Sequence, residues 1–385
     1  MPKPRILLAM ITVGNGHKAP AEAIRAGLER LYPNCFKIDV LDFTAEVGDV
    51  TLDRQVKDSW NLLLEYPHIA YWGQIFIDTV IPVQVTRFVQ GRVLRKHARN
   101  AADYIKKNNY NLIVATHYFT IQAIARAKRK YGITTPLIGL NTDPFDANAM
   151  WAEPSVDEML VASQIAKERL IQKQVPPEKI SIFGYPLGLQ FLEQQPKRDQ
   201  ARKELGLDSS MLTILQSAGG EGIGGQLEHF VRAVLHADLP VQYIIACGRN
   251  NKLLQHLTHL VNKHSNTQAK IIPKGFITNM QTWLAASDLV LGKAGASTTL
   301  EALAMNRPIF HTSYAAYNEK TNIDWCIEQG VGRYLPKPEQ LLEILREYLE
   351  QPAALQALQK KVETLHPLAG TLEIAEHLVR RYKLL

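Results

Sequence analysis

The chain has 385 residues, of which 46% are apolar and 21% charged; that length suits two or three domains, and the proportions exclude wholesale disorder and fibrous repeats. Lysine and arginine outnumber aspartate and glutamate by 44 to 37, a balance that attracts phosphate in a nucleic acid, a nucleotide or an anionic membrane surface. Cys35, Cys247 and Cys326 have neither disulfide nor metal spacing, which points to a reducing compartment, and the absence of any apolar run of about 18 residues excludes a spanning helix.

Short apolar runs alternate with helical patterns, the signature of βαβ units and parallel sheets. Arg5–Ile11 reads as a buried strand rather than a signal segment, because a glycine loop at Thr12–Lys18 and a helix at Ala19–Leu31 follow at once. Further strands are expected at Phe36–Leu41, Asn111–Ala115, Pro136–Leu140, Met159–Ala162 and Ile180–Phe183, with helices at Thr120–Tyr131 and Gln164–Lys173. The segment Val50–Gln90 is less regular and holds Trp60, Tyr66, Tyr71, Trp72, Phe76 and Phe88; core packing and a ligand-facing insertion both fit it. Between Pro186 and Arg202 the pattern lapses into an interdomain linker. A second alternation then opens with strand Leu212–Gln216, glycine loop Ser217–Gly225 and helix Gln226–Leu235. Strands at Gln242–Ala246, Ala269–Ile272, Leu289–Gly292 and Pro308–His311 follow, then a helical region from Glu339. The expected fold class is therefore α/β, with two doubly wound, Rossmann-like domains facing one another.

The basic excess is local. Residues 84–107 carry Arg87, Arg92, Arg95, Lys96, Arg99, Lys106 and Lys107 against Asp103 alone. Arg92, Arg95 and Arg99 fall at helical spacing beside Ile75, Phe76, Ile77, Val80, Ile81, Phe88 and Val89. Basic stripe plus apolar anchors describes an interfacial helix on an anionic membrane, with a solvated helix face as the plain alternative. One patch without a nucleic-acid-binding motif excludes that partner class.

Three loops carry chemistry. Gly14-Asn15-Gly16-His17 lies between a strand and a helix. It is neither a dinucleotide fingerprint nor a Walker motif. His17 suits a general base near neutral pH, or else caps the helix. Ser217–Gly225 holds Gly219, Gly220 and Gly222, whose backbone N–H groups can approach phosphates. In the third, Lys274–Met280 precedes Lys293-Ala294-Gly295-Ala296-Ser297-Thr298, which opens a helix suited to a diphosphate, with Glu301 one turn in.

Lys274-Gly-Phe-Ile-Thr-Asn-Met280, Lys293-Ala-Gly295, Thr298–Leu303, Gly219-Gly-Glu-Gly-Ile-Gly224 and Gly14-x-Gly-His17 together resemble the monogalactosyldiacylglycerol synthase and processive diacylglycerol glucosyltransferase family. That family is related to the peptidoglycan N-acetylglucosaminyltransferase. The resemblance covers nearly the whole chain and implies a GT-B fold of two Rossmann-like domains across a cleft. Residues 1–190 would bind the acceptor and face the membrane, residues 191–370 would bind the UDP-sugar, and a helix at 371–385 would pack back on the first domain. It implies inverting, metal-independent transfer of galactose or glucose from a UDP-sugar to a lipid, with diacylglycerol the leading acceptor; no D-x-D metal motif is present. The implied location is cytoplasmic and peripheral, on the inner face of the cell membrane.

By this resemblance His17 is the catalytic histidine, acting on the acceptor hydroxyl directly or through a neighbouring group, with Gly16 beside it on the acceptor side, and Asp143 could assist as base. Gly219, Gly220 and Gly222 contact the diphosphate, and the backbone at Phe276 and Ile277 holds uracil. Ala296, Ser297 and Thr298 receive phosphate charge, Glu301 binds ribose, and Asn318, Glu319 and Asn322 hold the donor sugar. His117 lines the acceptor crevice, and both His117 and Asp143 also fit a structural role. Three positions depart from the family pattern: Asn15 replaces a glycine, Asn318 stands where glutamine is usual, and no arginine follows Pro186. The sugar therefore stays open, and two further functions remain: transfer to a polyprenyl-linked or other glycan acceptor, and a non-catalytic UDP-sugar-binding regulator.

Overall fold

The computed structural model describes every residue except 1, 13–15, 49–50, 52, 59–66, 194–195, 221, 223–225, 265–266 and 366–367. Gly14, Asn15, Trp60, Tyr66, Glu221, Ile223, Gly224 and Gly225 thus lie outside the described residues. The chain divides into two units, one of residues 1–189, 315–321 and 367–385 and the other of residues 190–314 and 322–366. A single cut near residue 190 misses this exchange, because residues 315–321 group with the first unit.

The first unit contains a parallel sheet of β1 (Arg5–Met10), β2 (Lys37–Asp42), β3 (Leu112–Ala115), β4 (Leu137–Leu140), β5 (Glu158–Val161) and β6 (Ile180–Ile182), in the order β2-β1-β3-β4-β5-β6. Strands β3, β4 and β5 are buried throughout, as expected when helices cover both faces of a parallel sheet. The order reverses between β1 and β3, which opens a crevice at their carboxyl ends. The helix Thr371–Arg381 lies against Lys18–Leu31, and Gly27 permits the approach: a Cβ there would sit 3.0 Å from the Thr371 carbonyl oxygen. Glu158 ties that C-terminal segment to β5 by accepting from His377 Nε2 at 2.9 Å and the Tyr382 hydroxyl at 3.0 Å.

The second unit contains β7 (Leu212–Ser217), β8 (Val241–Ala246), β9 (Lys270–Lys274), β10 (Leu289–Lys293), β11 (Ile309–Ser313) and β12 (Gly332–Tyr334), in the order β12-β11-β10-β7-β8-β9. This is the dinucleotide-fold order, with its switch point between β7 and β10. Arg202 is fully buried; it pairs with Asp288 at 2.7 Å and donates to the carbonyls of Met211 and Ala286. The expected linker therefore ends before residue 198, where the helix Arg198–Leu205 begins.

Candidate active site

In the first unit three strand ends converge at the switch point: His17 follows β1, Thr116 and His117 follow β3, and Thr142 and Asp143 follow β4. His17 occupies the N-cap position of its helix but makes no capping bond with its side chain. Its Nδ1 lies 2.7 Å from the Thr116 carbonyl oxygen and 3.0 Å from Thr142 Oγ1. A carbonyl can only accept, so Nδ1 carries the proton and Nε2 keeps its lone pair. Burial pushes the imidazole down to about 4, against a smaller upward pull from Thr116. The ring is therefore neutral at pH 7, as a base must be.

His117 packs edge-on to His17, with ring centroids 4.4 Å apart. It is buried, and its Nδ1 accepts from the Phe119 N–H at 3.2 Å, so it caps the helix Tyr118–Tyr131. Gly16 is half-buried, and its carbonyl faces the Tyr185 hydroxyl at 3.5 Å.

Asp143 Oδ2 accepts from the Trp151 indole and Oδ1 from Asn318 Nδ2, both at 2.7 Å. Burial nevertheless raises the carboxyl to about 7, because two neutral N–H donors offset only part of the lost hydration. Of the donor-sugar loop that the resemblance implies, Asn318 and Glu319 group with the first unit, where Glu319 Oε2 accepts from the Ala315 N–H at 2.6 Å. Asn322 belongs to the second unit and is buried, its amide donating to the Ala294 carbonyl at 2.8 Å. It braces a loop from behind rather than presenting an amide at the surface.

In the second unit the loops after β7 and β10 flank the switch point. Gly219 and Gly222 adopt φ of +73° and +69°, and a Cβ on Gly222 would overlap the Cys247 carbonyl. Gly220 is half-buried; its carbonyl accepts from the Arg249 N–H at 3.0 Å, and the Gly222 carbonyl accepts from Asn250 Nδ2 at 3.1 Å. Two turns are thus interlocked, one glycine-rich and one built on Cys247–Asn250. Phe276 is half exposed with the Arg249 guanidinium 4.3 Å from its ring centroid, and Ile277 beside it is half-buried.

Ala296, Ser297 and Thr298 form the first turn of the helix Ala296–Ala304, whose N-cap, Gly295, offers no side chain. That end of the helix favours negative charge. Behind it the buried His311 lies 3.0 Å from Thr299 Oγ1, which donates to the Gly295 carbonyl at 2.9 Å. Burial raises the Glu301 carboxyl to about 8, so it is mostly protonated at pH 7.

Arg92, Arg95 and Arg99 are exposed, but they do not form one helical stripe. The chain breaks at Leu94 between the helices Val83–Val93 and Arg95–Asn108, which puts Arg92 on the first and the other two on the second. Trp72, Phe76, Val80, Val85, Phe88, Val89 and Val93 are all exposed, Trp72 by 67%. Ile75, Ile77 and Ile81 are half-buried. Seven exposed large apolar side chains between Trp72 and Val93 mark an interaction face. Among the described residues, no helix is long and apolar enough to cross a membrane.

Residues 17–187 match the family model of monogalactosyldiacylglycerol (MGDG) synthase. Residues 227–367 match the C-terminal domain of glycosyltransferase family 28, so the resemblance carried by the glycine and histidine motifs is borne out in both halves. A probable chloroplastic MGDG synthase of Nicotiana tabacum is 27% identical, covering 90% of this chain and 65% of the relative. The Spinacia oleracea MGDG synthase is also 27% identical, over 89% and 66%. The chain thus spans just under two thirds of the length of these relatives. Acinetobacter baumannii MurG superposes with a TM-score of 0.63 at 16% identity, covering 99% of this chain and 100% of that one. Anabaena HepE, solved with UDP and glucose, gives 0.56 at 14% identity, covering 99% of each chain. These likenesses establish the GT-B fold.

Sequence reasoning missed four groups in the two sites. Thr116 and Thr142 reach His17 only through the sheet topology, and Trp151 reaches Asp143 across the loop that follows β4. Arg249 follows a glycine, Gly248, with φ of +59°; that glycine was the available signal.

Proposed function

We propose that the chain is an inverting UDP-sugar-dependent glycosyltransferase that moves a hexose, galactose or glucose, to the free hydroxyl of diacylglycerol at an anionic membrane surface. The observation that carries the reading is the tautomer of His17, held by Thr116 so that Nε2 can take the hydroxyl proton. The acceptor oxygen then bonds to the sugar C1 as the bond from C1 to the UDP oxygen breaks, and UDP leaves with the electron pair. The glycine loop and the helix start at Ala296 would meet the charge growing on the diphosphate, which supports transfer without a metal. Phe276 and Arg249 offer a face for uracil, and Glu301 a group for ribose. The MGDG synthase names of the relatives support the lipid acceptor.

The membrane part of the reading rests on the exposed apolar residues between Trp72 and Val93 beside Arg92, Arg95 and Arg99. Each cation near an anionic surface contributes roughly 1 kcal/mol. The test is a donor-by-acceptor panel: UDP-glucose, UDP-galactose and UDP-N-acetylglucosamine against diacylglycerol vesicles, a polyprenyl-phosphate glycan and no acceptor. UDP release and a β-linked lipid product with a UDP-hexose and diacylglycerol are expected. UDP-sugar binding with no glycosylated acceptor would instead make the protein a regulator.

A further inference from the structure

The two helices with the exposed apolar side chains are fastened to the acceptor-side site by buried polar contacts that the proposed chemistry does not itself use. Asp78, in the last turn of the helix Pro67–Thr79, is 8% exposed. Its Oδ1 accepts from the Ala149 N–H at 2.8 Å and pairs with Lys173 Nζ at 2.9 Å. On the next helix, Arg87 donates through Nε to the Ala152 carbonyl at 2.9 Å and through Nη2 to the Lys173 carbonyl at 2.6 Å.

Ala149 begins and Ala152 follows the one-turn 3-10 helix Ala149–Trp151. Its last residue, Trp151, donates to Asp143 and stands 6.3 Å from the His17 ring. The outer face of the helix pair is therefore apolar, while its inner face holds both ends of the turn that aims Trp151. Enclosing Asp78, Lys173 and Arg87 costs desolvation that an apolar contact would avoid, and buried polar groups of this kind fix one geometry more than they add stability.

We propose that Asp78 and Arg87 are positioning residues that couple seating of the helices 67–93 on a lipid surface to the placement of Trp151 and Asp143. A shift of the helices on the membrane is transmitted to the turn through the Ala149 and Ala152 contacts, and from Trp151 to Asp143. The acceptor site then reaches its working geometry only on a membrane. This inference rests on the membrane reading given above.

The experiment compares the full chain with Asp78→Ala, Asp78→Asn and Arg87→Leu. For each, the rate with dioleoylglycerol in phosphatidylcholine–phosphatidylserine vesicles is divided by the rate with monomeric dihexanoylglycerol, and vesicle co-sedimentation is measured alongside. The ratio is expected to fall about tenfold in Asp78→Ala and Arg87→Leu, within the usual range of coupling between sites, while co-sedimentation stays at the wild-type level. Asp78→Asn, whose amide oxygen can still accept from Ala149, should keep most of the ratio. A wild-type ratio in Asp78→Ala would overturn the coupling and leave membrane docking standing. No vesicle preference in the wild-type protein would overturn both. Should Asp78→Ala and Arg87→Leu fail to fold by circular dichroism, Arg87→Lys, which can reach only one of the two carbonyls, decides the matter by the same ratio.

Discussion

His17 Nδ1 lies 2.7 Å from the carbonyl oxygen of Thr116, a residue 99 positions along the chain and at the end of the neighbouring strand. The pairing of β1 with β3 makes that contact, since Ala9 is in register with Ala115. The switch point of the sheet thus brings a backbone acceptor to the one ring nitrogen that must carry a proton if the other is to receive one. Thr142, from the end of β4, adds a second oxygen at 3.0 Å.

Asp143 governs the expected pH dependence near neutrality. Burial lifts its carboxyl to about 7, whereas His17 stays neutral down to about 4. Ionised Asp143 holds both Trp151 and Asn318 more strongly than the protonated acid does. The rate should therefore rise as pH increases through about 7. Asp143→Asn should lower the rate about tenfold or more and remove that limb, leaving only the acid limb of His17. A pH–rate profile of kcat for both proteins provides the check; an unchanged limb near pH 7 in Asp143→Asn would assign it to another group.

Glu301 should set function against stability. Its carboxyl titrates near 8 in the fold, above the 4.5 of an unperturbed glutamate. The folded state thus binds more protons than the unfolded chain between these values, and stability falls as pH rises through that window. Glu301→Gln removes the penalty, so the variant should be more stable than the wild type at pH 8, by up to a few kcal/mol, with a much smaller difference at pH 5. If the carboxyl binds the ribose, UDP affinity should fall in the same variant. Urea melts at the two pH values and UDP titration by calorimetry measure both effects.

Arg249 and Phe276 should act on the nucleotide. The guanidinium lies over the ring and its backbone is fastened to Gly220. Phe276→Ala and Arg249→Ala should each weaken UDP binding by roughly 1–2 kcal/mol, an effect of stacking and cation–π size. Most of that loss should appear in the KM for the donor and little in kcat. A donor KM unchanged from the wild type in both variants would remove this face from the uracil site.

Much of the fold was legible because parallel strands buried on both faces are short apolar runs with loops at both ends, as at Leu112–Ala115 and Leu137–Leu140. The strand Gly332–Tyr334 was not, being three residues long with two of them exposed. The glycine loops and His17 were visible as local motifs. Thr142 and Trp151 were not, because the hydroxyl acquires its role only when distant strand ends meet and the indole only when the loop after β4 folds back on Asp143. The break at Leu94 was hidden by basic residues whose spacing runs through it unchanged. Asn318 and Asn322 fall together in the donor-sugar loop that the family resemblance implies. The fold places one beside Asp143 and the other beneath Ala294.

The most direct measurement is UDP release by His17→Ala, with UDP-hexose and diacylglycerol vesicles, set beside its UDP affinity. If Nε2 of His17 takes the acceptor proton, the turnover rate falls by roughly 10²–10⁴, the usual contribution of a general base, while UDP binds as in the wild type. Turnover within a few-fold of the wild type would contradict that role for His17.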